Sequence, residues 1–177
     1  MADYSLSGID IDRILSANDC PHDIITYRDL ARKIRRNEWT FDNLLPDHVL
    51  VICFETKPQY GHWICVFSNY EGIQFFDSYG LSVDDEQHWN FDPEFKKYAL
   101  EDYPWLLRCL YQSGHVVNYN QYVFQAHNPM IRTCGRWVCL RACTRYLGCD
   151  EFACLISDQC AAEGKDPDQL VVEKVPV

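Results

Sequence analysis

The segment from Thr133 to Cys139 contains a cysteine in a position that favours a reactive thiolate. An apolar run with helical spacing begins after Cys134 and predicts a helix that ends at Gly148. Thr133 is an acceptable N-cap, so the thiol lies in the first turn, where unpaired N–H groups and the helix dipole stabilise negative charge. Gly135 leaves room for a substrate or another backbone segment. Cys134 is therefore a candidate nucleophile, and the competing interpretation is an inert buried cysteine.

A cysteine nucleophile needs a base, and the chain offers one upstream. Two apolar segments, from Gly61 to Phe67 and from Ile73 to Gly80, are separated by a short Gly-containing turn and predict a β-hairpin. His62 begins the first strand and Asp77 ends the second, so antiparallel pairing brings their side chains together. An Asp can orient one ring nitrogen of a His while the other faces a thiol. Each residue taken alone is more often structural, and their order along the chain favours the catalytic interpretation.

An oxyanion donor completes the candidate constellation. Gln125 ends a further segment, beginning at Val116, that predicts one strand or two short ones. Its side-chain N–H and the backbone N–H of Cys134 would together form an oxyanion hole. The site so predicted contains no metal and no cofactor.

The remaining pattern indicates the elements that position these residues. The continuous apolar run from His48 to Phe54 predicts a strand buried on both faces. Helical spacing occurs at 7–15, 23–37, 91–112 and 150–162, with a break at Pro104. The polar segment 81–90 is expected to be a surface loop, and the residues after 162 an acidic tail.

These elements predict a single α+β domain over residues 1–177, with a central, mostly antiparallel or mixed sheet flanked by helices. Residues 1–45 are expected to form a helical N-terminal accessory segment, and residues 46–162 the catalytic core. The chain has 177 residues and 47% hydrophobic residues, enough for one well-packed core.

Charge and cysteine content narrow the class of function. The net charge of -10 argues against nucleic acid as the main partner, because phosphate binding needs clustered Lys and Arg. The one basic stretch, from Arg28 to Arg36, is more simply a solvated helix face. Ten cysteines without a signal peptide favour a reducing, intracellular setting over a disulfide scaffold. No segment is apolar enough to cross a membrane.

The candidate residues resemble those of the adenain/Ulp1-type (clan CE) cysteine proteases, the superfamily of the adenovirus protease. The similarity rests on the chain order His, Asp, Gln, Cys and on the motifs Gly61-His62-Trp63, Phe75-Phe76-Asp77-Ser78-Tyr79-Gly80 and Thr133-Cys134-Gly135. The run at 133–141 and the segment 166–171 are most similar to proteases of virophages, Maverick/Polinton elements and large DNA viruses. The resemblance covers roughly residues 46 to 160.

The resemblance implies a fold, an activity and a substrate. Cys134 would attack a peptide carbonyl with His62 as base and Asp77 orienting it, and Gln125 would hold the oxyanion. Trp63, with Gly135, would line a narrow channel that favours Gly-Gly or Gly-X at the cut. The substrates would be capsid or other structural precursor proteins, cleaved by a monomer in the virion or the host cytoplasm, with an activating peptide as a possible partner.

Two features depart from the family pattern. Gln125 lies nine positions before Cys134, whereas the family glutamine usually stands five to seven before the cysteine. The extra residues around 127–129 would have to bulge, and Gln121 is a weaker alternative for the oxyanion role. The adenovirus enzyme is stimulated by a basic peptide and DNA, and this acidic chain has no comparable basic face.

Other functions remain open from the sequence. An isopeptidase for ubiquitin-like modifiers, or less readily an acetyltransferase, would use the same chemistry. An inactive binding relic of the fold would not need the complete residue set. A zinc module could use the cysteines clustered at the C-terminal end, although no CxxC pair is present; these are Cys134, Cys139, Cys143, Cys149, Cys154 and Cys160.

Overall fold

A five-stranded mixed sheet forms the centre of the molecule. The computed structural model describes residues 5–43, 47–58, 60–88 and 92–177. The strands lie across the sheet in chain order, with the outer two pairs parallel and the inner two pairs antiparallel. They are β1 (His22–Thr26), β2 (Val49–Lys57), β3 (Tyr60–Asn69), β4 (Gly72–Phe76) and β5 (Val117–Tyr119). The predicted α+β class with a mixed sheet is confirmed.

Helices cover both faces of this sheet. They are α1 (Gly8–Ala17), α2 (Tyr27–Arg35), α3 (Pro93–Tyr98), α4 (Trp105–Gln112), α5 (Cys134–Cys143), α6 (Cys149–Glu163) and α7 (Pro167–Lys174). One core lies between the sheet and α1, α5, α6 and α7, and the other between the sheet and α2 and α4. Within the described residues no helix is long and apolar enough to cross a membrane.

Strand β2 is continuously apolar because both faces of the sheet are covered at this position. Val49 and Val51 point into the first core, whereas Leu50 and Ile52 point into the second. Successive side chains of a strand face opposite sides, so a strand covered on both faces has no solvent-facing position. The prediction of a strand buried on both faces is confirmed.

The predicted hairpin is formed by β3 and β4. Its register pairs Asn69 with Gly72 at the turn and Cys65 with Phe76 at the other end. Gly72 has a φ of 110°, and a Cβ there would lie 2.7 Å from the carbonyl oxygen of Val116, so glycine is required. At the end opposite the turn, the pairing of β3 with β4 stops at Cys65 and Phe76, three residues from His62 and one residue from Asp77.

The N-terminal segment is not wholly helical, contrary to the prediction. Residues 22–26 form the edge strand β1, parallel to β2, and α2 begins only at Tyr27. Ile24, Ile25 and Thr26 are β-branched, and Thr26 then caps α2 by accepting a hydrogen bond from the Asp29 backbone. Tertiary pairing with β2 therefore overrides the helical spacing of this stretch.

The helix after Cys134 is shorter than predicted. It ends at Cys143 instead of Gly148, and Gly148 instead precedes α6 as its N-cap. The Thr144 hydroxyl donates to the Leu140 carbonyl, and Arg141 binds carbonyls in the following turn. These side chains satisfy the carbonyl groups at the helix end and so allow the chain to turn.

Three further predictions need correction. The segment 81–90 is not a simple surface loop, because Val83, Asp84 and Glu86 are buried around a short 3-10 turn at Asp85–His88. Residues 89 and 90 of this segment lie outside the described residues, and so does the predicted start of the catalytic core at residue 46. The acidic tail contains α7, which begins at an Asp166 capping box. Of the segment 116–125 that the sequence predicts to be extended, only residues 117–119 form a strand, β5.

Candidate active site

The open end of the hairpin brings His62 and Asp77 together. Asp77 directly follows Phe76, the last β4 residue paired with β3. His62 Nε2 lies 3.2 Å from Asp77 Oδ1, and both side chains are buried. The Nε2 atom therefore carries the proton shared with Asp77, and Nδ1 is the ring nitrogen left for another partner.

The Asp77 carboxylate is held in place by its surroundings. The Tyr79 backbone N–H donates to Asp77 Oδ1 at 2.6 Å. Asn120 clamps the Asp77 backbone from both sides, accepting from its N–H and donating to its carbonyl oxygen. Burial alone would raise the Asp77 pKa, but the positive charge of His62 and the hydrogen bonds that the carboxyl group makes, including the one from the Tyr79 N–H, hold it below the usual range. Asp77 is thus a fixed negative charge behind His62.

Cys134 is the first residue of α5, and its sulfur lies at the floor of the site. Its side chain is hydrogen-bonded to His62, and the backbone N–H groups of Trp63 and Gly135 also face the sulfur. Burial raises the pKa of this thiol, but these hydrogen bonds and the imidazolium charge outweigh burial and lower it. The arrangement favours a thiolate that can attack an electrophilic carbon.

His62 shifts in the opposite direction. Burial disfavours its charged form, but the charge and hydrogen bond of Asp77, together with Cys134, raise the pKa of His62 well above the usual value. A cysteine with a lowered pKa beside a histidine with a raised pKa forms a thiolate–imidazolium pair. The pair exists where the pKa of Cys134 lies below that of His62, and both shifts act in that direction. Below the pH range between these two pKa values Cys134 is protonated, and above it His62 is neutral.

Thr133 precedes the helix but does not cap it with its side chain, contrary to the prediction. Its hydroxyl instead donates to Asp168 Oδ1 at 2.5 Å. The same carboxylate accepts from the Trp137 indole and from the Ala126 backbone N–H. Asp168, on α7, therefore connects the start of α5 to the loop before it.

The sequence analysis missed this role of Asp168. The Asp166-Pro167 pair is a helix-start signal that indicates α7. No local pattern shows that the next acidic residue turns inward, because its partners lie 31 to 42 positions away.

Loss of the Asp168 carboxylate is expected to destabilise the fold. Asp168→Ala leaves two buried donors and one partly buried donor without an acceptor, which lowers the free energy of unfolding by roughly 2–5 kcal/mol. Urea unfolding followed by tryptophan fluorescence measures this change. Asp158→Ala, at an exposed position on α6, is the matched control and should stay within about 0.5 kcal/mol of the parent. Equal stability of the two variants would contradict the anchoring role.

Gln125 is buried beside the thiol and forms three side-chain hydrogen bonds. Its Oε1 accepts from the Ser78 hydroxyl, and its Nε2 donates to the Tyr79 hydroxyl and to the Ile131 carbonyl. Gln125 also lines the groove that contains Cys134. Its amide is thus fixed in orientation, with the Tyr79 hydroxyl as the partner that a substrate oxygen would have to replace.

The alternative residue, Gln121, is exposed and does not line the groove. The extra residues before Cys134 form an exposed turn closed by hydrogen bonds from Asn128 and Ile131 to backbone carbonyls. The spacing between Gln125 and Cys134 therefore accommodates the longer loop without displacing Gln125 from the groove.

Tyr79 extends the ring system around His62. Its ring stacks on His62 at 5.0 Å and on His127 at 4.7 Å between centroids. Burial and the negative charge of Cys134 raise the pKa of Tyr79 to about 12, so its hydroxyl keeps its proton at neutral pH. From the sequence, Tyr79 has no predicted role beyond its place in the motif.

An open groove of about 1140 Å³ lies over the sulfur. The chain's own N-terminal segment forms one wall: Leu6 accepts a hydrogen bond from the Trp63 indole, and a Cβ at Gly135 would lie 2.9 Å from Leu6 Cβ. The space beside Gly135 is therefore filled by Leu6, and a substrate would reach Gly135 only if this segment moved. Trp63 lines the groove next to His62.

Metal-binding side chains converge at one place in the described residues. His62, Asp77 and Glu86 present possible ligand atoms within 4.8 Å of one another. Both ring nitrogens of His62 are engaged, one with Asp77 and one with Cys134, so the group is better described as a hydrogen-bonded network. No three of the clustered cysteines in the described part come close enough to share an ion.

Comparison with known proteins places the chain among viral proteins. No protein-family model matches it. The uncharacterized protein V9 of Sputnik virophage is 34% identical over 168 residues, which cover 94% of this chain and 91% of that protein. The chain therefore belongs to the same family as the Sputnik virophage protein V9.

Proposed function

We propose that the chain is a cysteine endopeptidase with an adenain-like fold, which cleaves structural precursor proteins of a virus. The observation that carries this proposal is the buried line from Cys134 through His62 to Asp77, with a lowered thiol pKa beside a raised imidazole pKa. A purely structural cysteine needs neither a base nor a carboxylate behind that base. The virophage relative supports the viral setting.

Acylation starts from the thiolate–imidazolium pair. The Cys134 thiolate attacks the peptide carbonyl carbon, and the carbonyl electrons move to oxygen. His62 then gives its Nδ1 proton to the amide nitrogen as the C–N bond breaks, which leaves a thioester on Cys134. Asp77 keeps the imidazole ring in the required orientation throughout.

Oxyanion stabilisation and deacylation use the same groups. The backbone N–H of Cys134 and one N–H of Gln125, turned from the Tyr79 hydroxyl, donate to the negative oxygen. Water then attacks the thioester while neutral His62 takes its proton. The thiolate leaves, and the ion pair is restored.

The groove suggests how a glycine substrate is preferred. Trp63, held by its hydrogen bond to the Leu6 carbonyl, lines the groove next to His62, where its ring would narrow the path of a substrate. A substrate strand without side chains passes such a constriction at low steric cost. This geometry supports cleavage at Gly-Gly or Gly-X sequences.

Peptide hydrolysis tests the proposal directly. The purified chain is incubated with internally quenched peptides containing Gly-Gly-X, with Ala-Ala-X peptides as the substrate control. Cleavage at Gly-Gly is expected for the parent and for Cys154→Ala, whose thiol is exposed and lies outside the groove. No cleavage is expected for Cys134→Ala.

The same assay separates the rival function. Release of a ubiquitin-like modifier from an isopeptide bond, without cleavage of the short peptides, would favour the isopeptidase. Equal activity of Cys134→Ala and the parent would refute both, because each requires the same thiolate.

A further inference from the structure

A second buried carboxyl group lies behind Asp77. Glu86 belongs to the 3-10 turn Asp85–His88, and its side chain is 2% exposed. One of its carboxyl oxygens, one oxygen of Asp77 and one ring nitrogen of His62 lie within 4.8 Å of one another. The mechanism above assigns no part to Glu86.

The hydrogen bonds of Asp77 leave one oxygen without a donor. Asp77 Oδ1 receives the Tyr79 backbone N–H and faces His62. If Asp77 and Glu86 are both ionised, three of their carboxylate oxygens have no donor among the described residues. These oxygens are Asp77 Oδ2 and both oxygens of Glu86. A buried carboxylate oxygen without a donor is costly, and two such groups side by side are more so.

One proton between the two groups removes this conflict. A carboxylic acid donates through its O–H, so a protonated Glu86 supplies the donor that Asp77 Oδ2 lacks. Burial and the neighbouring Asp77 charge raise the pKa of Glu86 well above its usual value, whereas the pKa of Asp77 is lowered. The proton therefore stays on Glu86, as in other pairs of carboxyl groups that share one proton.

We propose that Glu86 is a positioning residue that, as a neutral acid, donates a hydrogen bond to Asp77 Oδ2 and so holds Asp77 as the carboxylate facing His62. Its effect on peptide hydrolysis rests on the proposed protease function. Its effect on Cys134 does not, because a better-oriented His62 stabilises the thiolate whether or not a peptide is cleaved.

The ionisable groups facing Glu86 set the direction of the pH effect. They are Asp77 at the end of β4 and His62 on β3, with Cys134 on α5 beyond the imidazole. When Glu86 loses its proton at high pH, Asp77 loses its donor and a second negative charge faces the pair. The line from Asp77 to Cys134 is then disturbed on the alkaline side and not on the acidic side.

Two substitutions separate hydrogen bonding from packing. Glu86→Gln keeps the shape and supplies an amide N–H to Asp77 Oδ2. Glu86→Leu fills the space without a donor. The rate of Cys134 alkylation by limiting iodoacetamide, followed by peptide mapping from pH 5 to 9, measures the thiolate in each variant. Glu94→Gln, at an exposed position, is the control.

The expected pattern is specific. Glu86→Gln and the control stay within about two-fold of the parent at pH 7, whereas Glu86→Leu slows alkylation by about 10- to 100-fold, the range of one hydrogen bond to a charged group. In the parent, the rate of Cys134 alkylation changes at alkaline pH when Glu86 loses its proton, and this change is absent in Glu86→Gln. The carbon-13 NMR signal of the Glu86 carboxyl shows a neutral acid at pH 7.

Two results would overturn the proposal: an ionised Glu86 at pH 7, or a Glu86→Gln variant as slow as Glu86→Leu. The NMR measurement needs no variant, so it decides the point even if Glu86→Leu does not fold. If the variants show the expected alkylation rates but the parent cleaves no peptide, the protease function is rejected and the role of Glu86 stands.

Discussion

A His62→Ala variant is expected to lose roughly 10²- to 10⁴-fold in peptide hydrolysis, the range of a positioned acid–base group. It should also lose the rapid reaction of Cys134 with iodoacetamide below neutral pH. His62 supplies the hydrogen bond and the positive charge that lower the thiol pKa against the effect of burial. Without them, burial dominates and Cys134 stays protonated until higher pH.

The two measurements check each other. Hydrolysis of the Gly-Gly peptide reports the whole reaction, whereas alkylation followed by peptide mapping reports only the thiolate. His115→Ala removes an exposed histidine and should leave both rates unchanged. If Cys134 in His62→Ala reacts at pH 6 as fast as in the parent, the thiolate does not depend on His62 and the proposed mechanism is wrong.

An Asp77→Asn variant is expected to fold but to lose roughly 10²- to 10⁴-fold in hydrolysis at pH 8, the upper figure being the effect of the same change in Ser-His-Asp proteases. The amide still accepts from the Tyr79 backbone N–H, so the local structure is retained. The negative charge that raises the His62 pKa is lost, however.

The pH profile shows the sign of this effect. The lowered Cys134 pKa sets the acidic limit of the parent, and the raised His62 pKa sets the alkaline limit. In Asp77→Asn the imidazolium is lost at lower pH, so the alkaline limit moves towards neutrality. Asp102→Asn, at an exposed position, is the control. An unchanged alkaline limit in Asp77→Asn would show that Asp77 does not act on His62 through its charge.

Local pattern was sufficient for the elements that carry the candidate residues. The hairpin follows from two apolar runs around a glycine turn, and its register places His62 near Asp77. The helix start at Cys134 follows from the change of spacing after a polar loop. These features depend on neighbours within about 15 residues, which a single sequence displays.

Long-range contacts decided what the sequence did not show. β1 exists because it pairs with β2, and its own spacing is equally helical. Glu86 stands in a polar run that resembles a surface loop, yet it is buried behind Asp77. The anchoring role of Asp168 is recognisable only from its hydrogen-bond partners, which lie more than 30 positions away. In each case, burial against a distant segment overrides the local pattern.

The bond between Thr133 and Asp168 also sets an order of events during synthesis. The ribosome adds Thr133 to the growing chain well before Asp168, because the two residues are 35 positions apart. At a translation speed of about 5–20 residues per second, this gap lasts roughly 2–7 seconds. During that time the Thr133 hydroxyl, directly before α5, lacks the acceptor that it has in the folded protein. Folding of the region around Cys134 is therefore expected to finish only after α7 has docked.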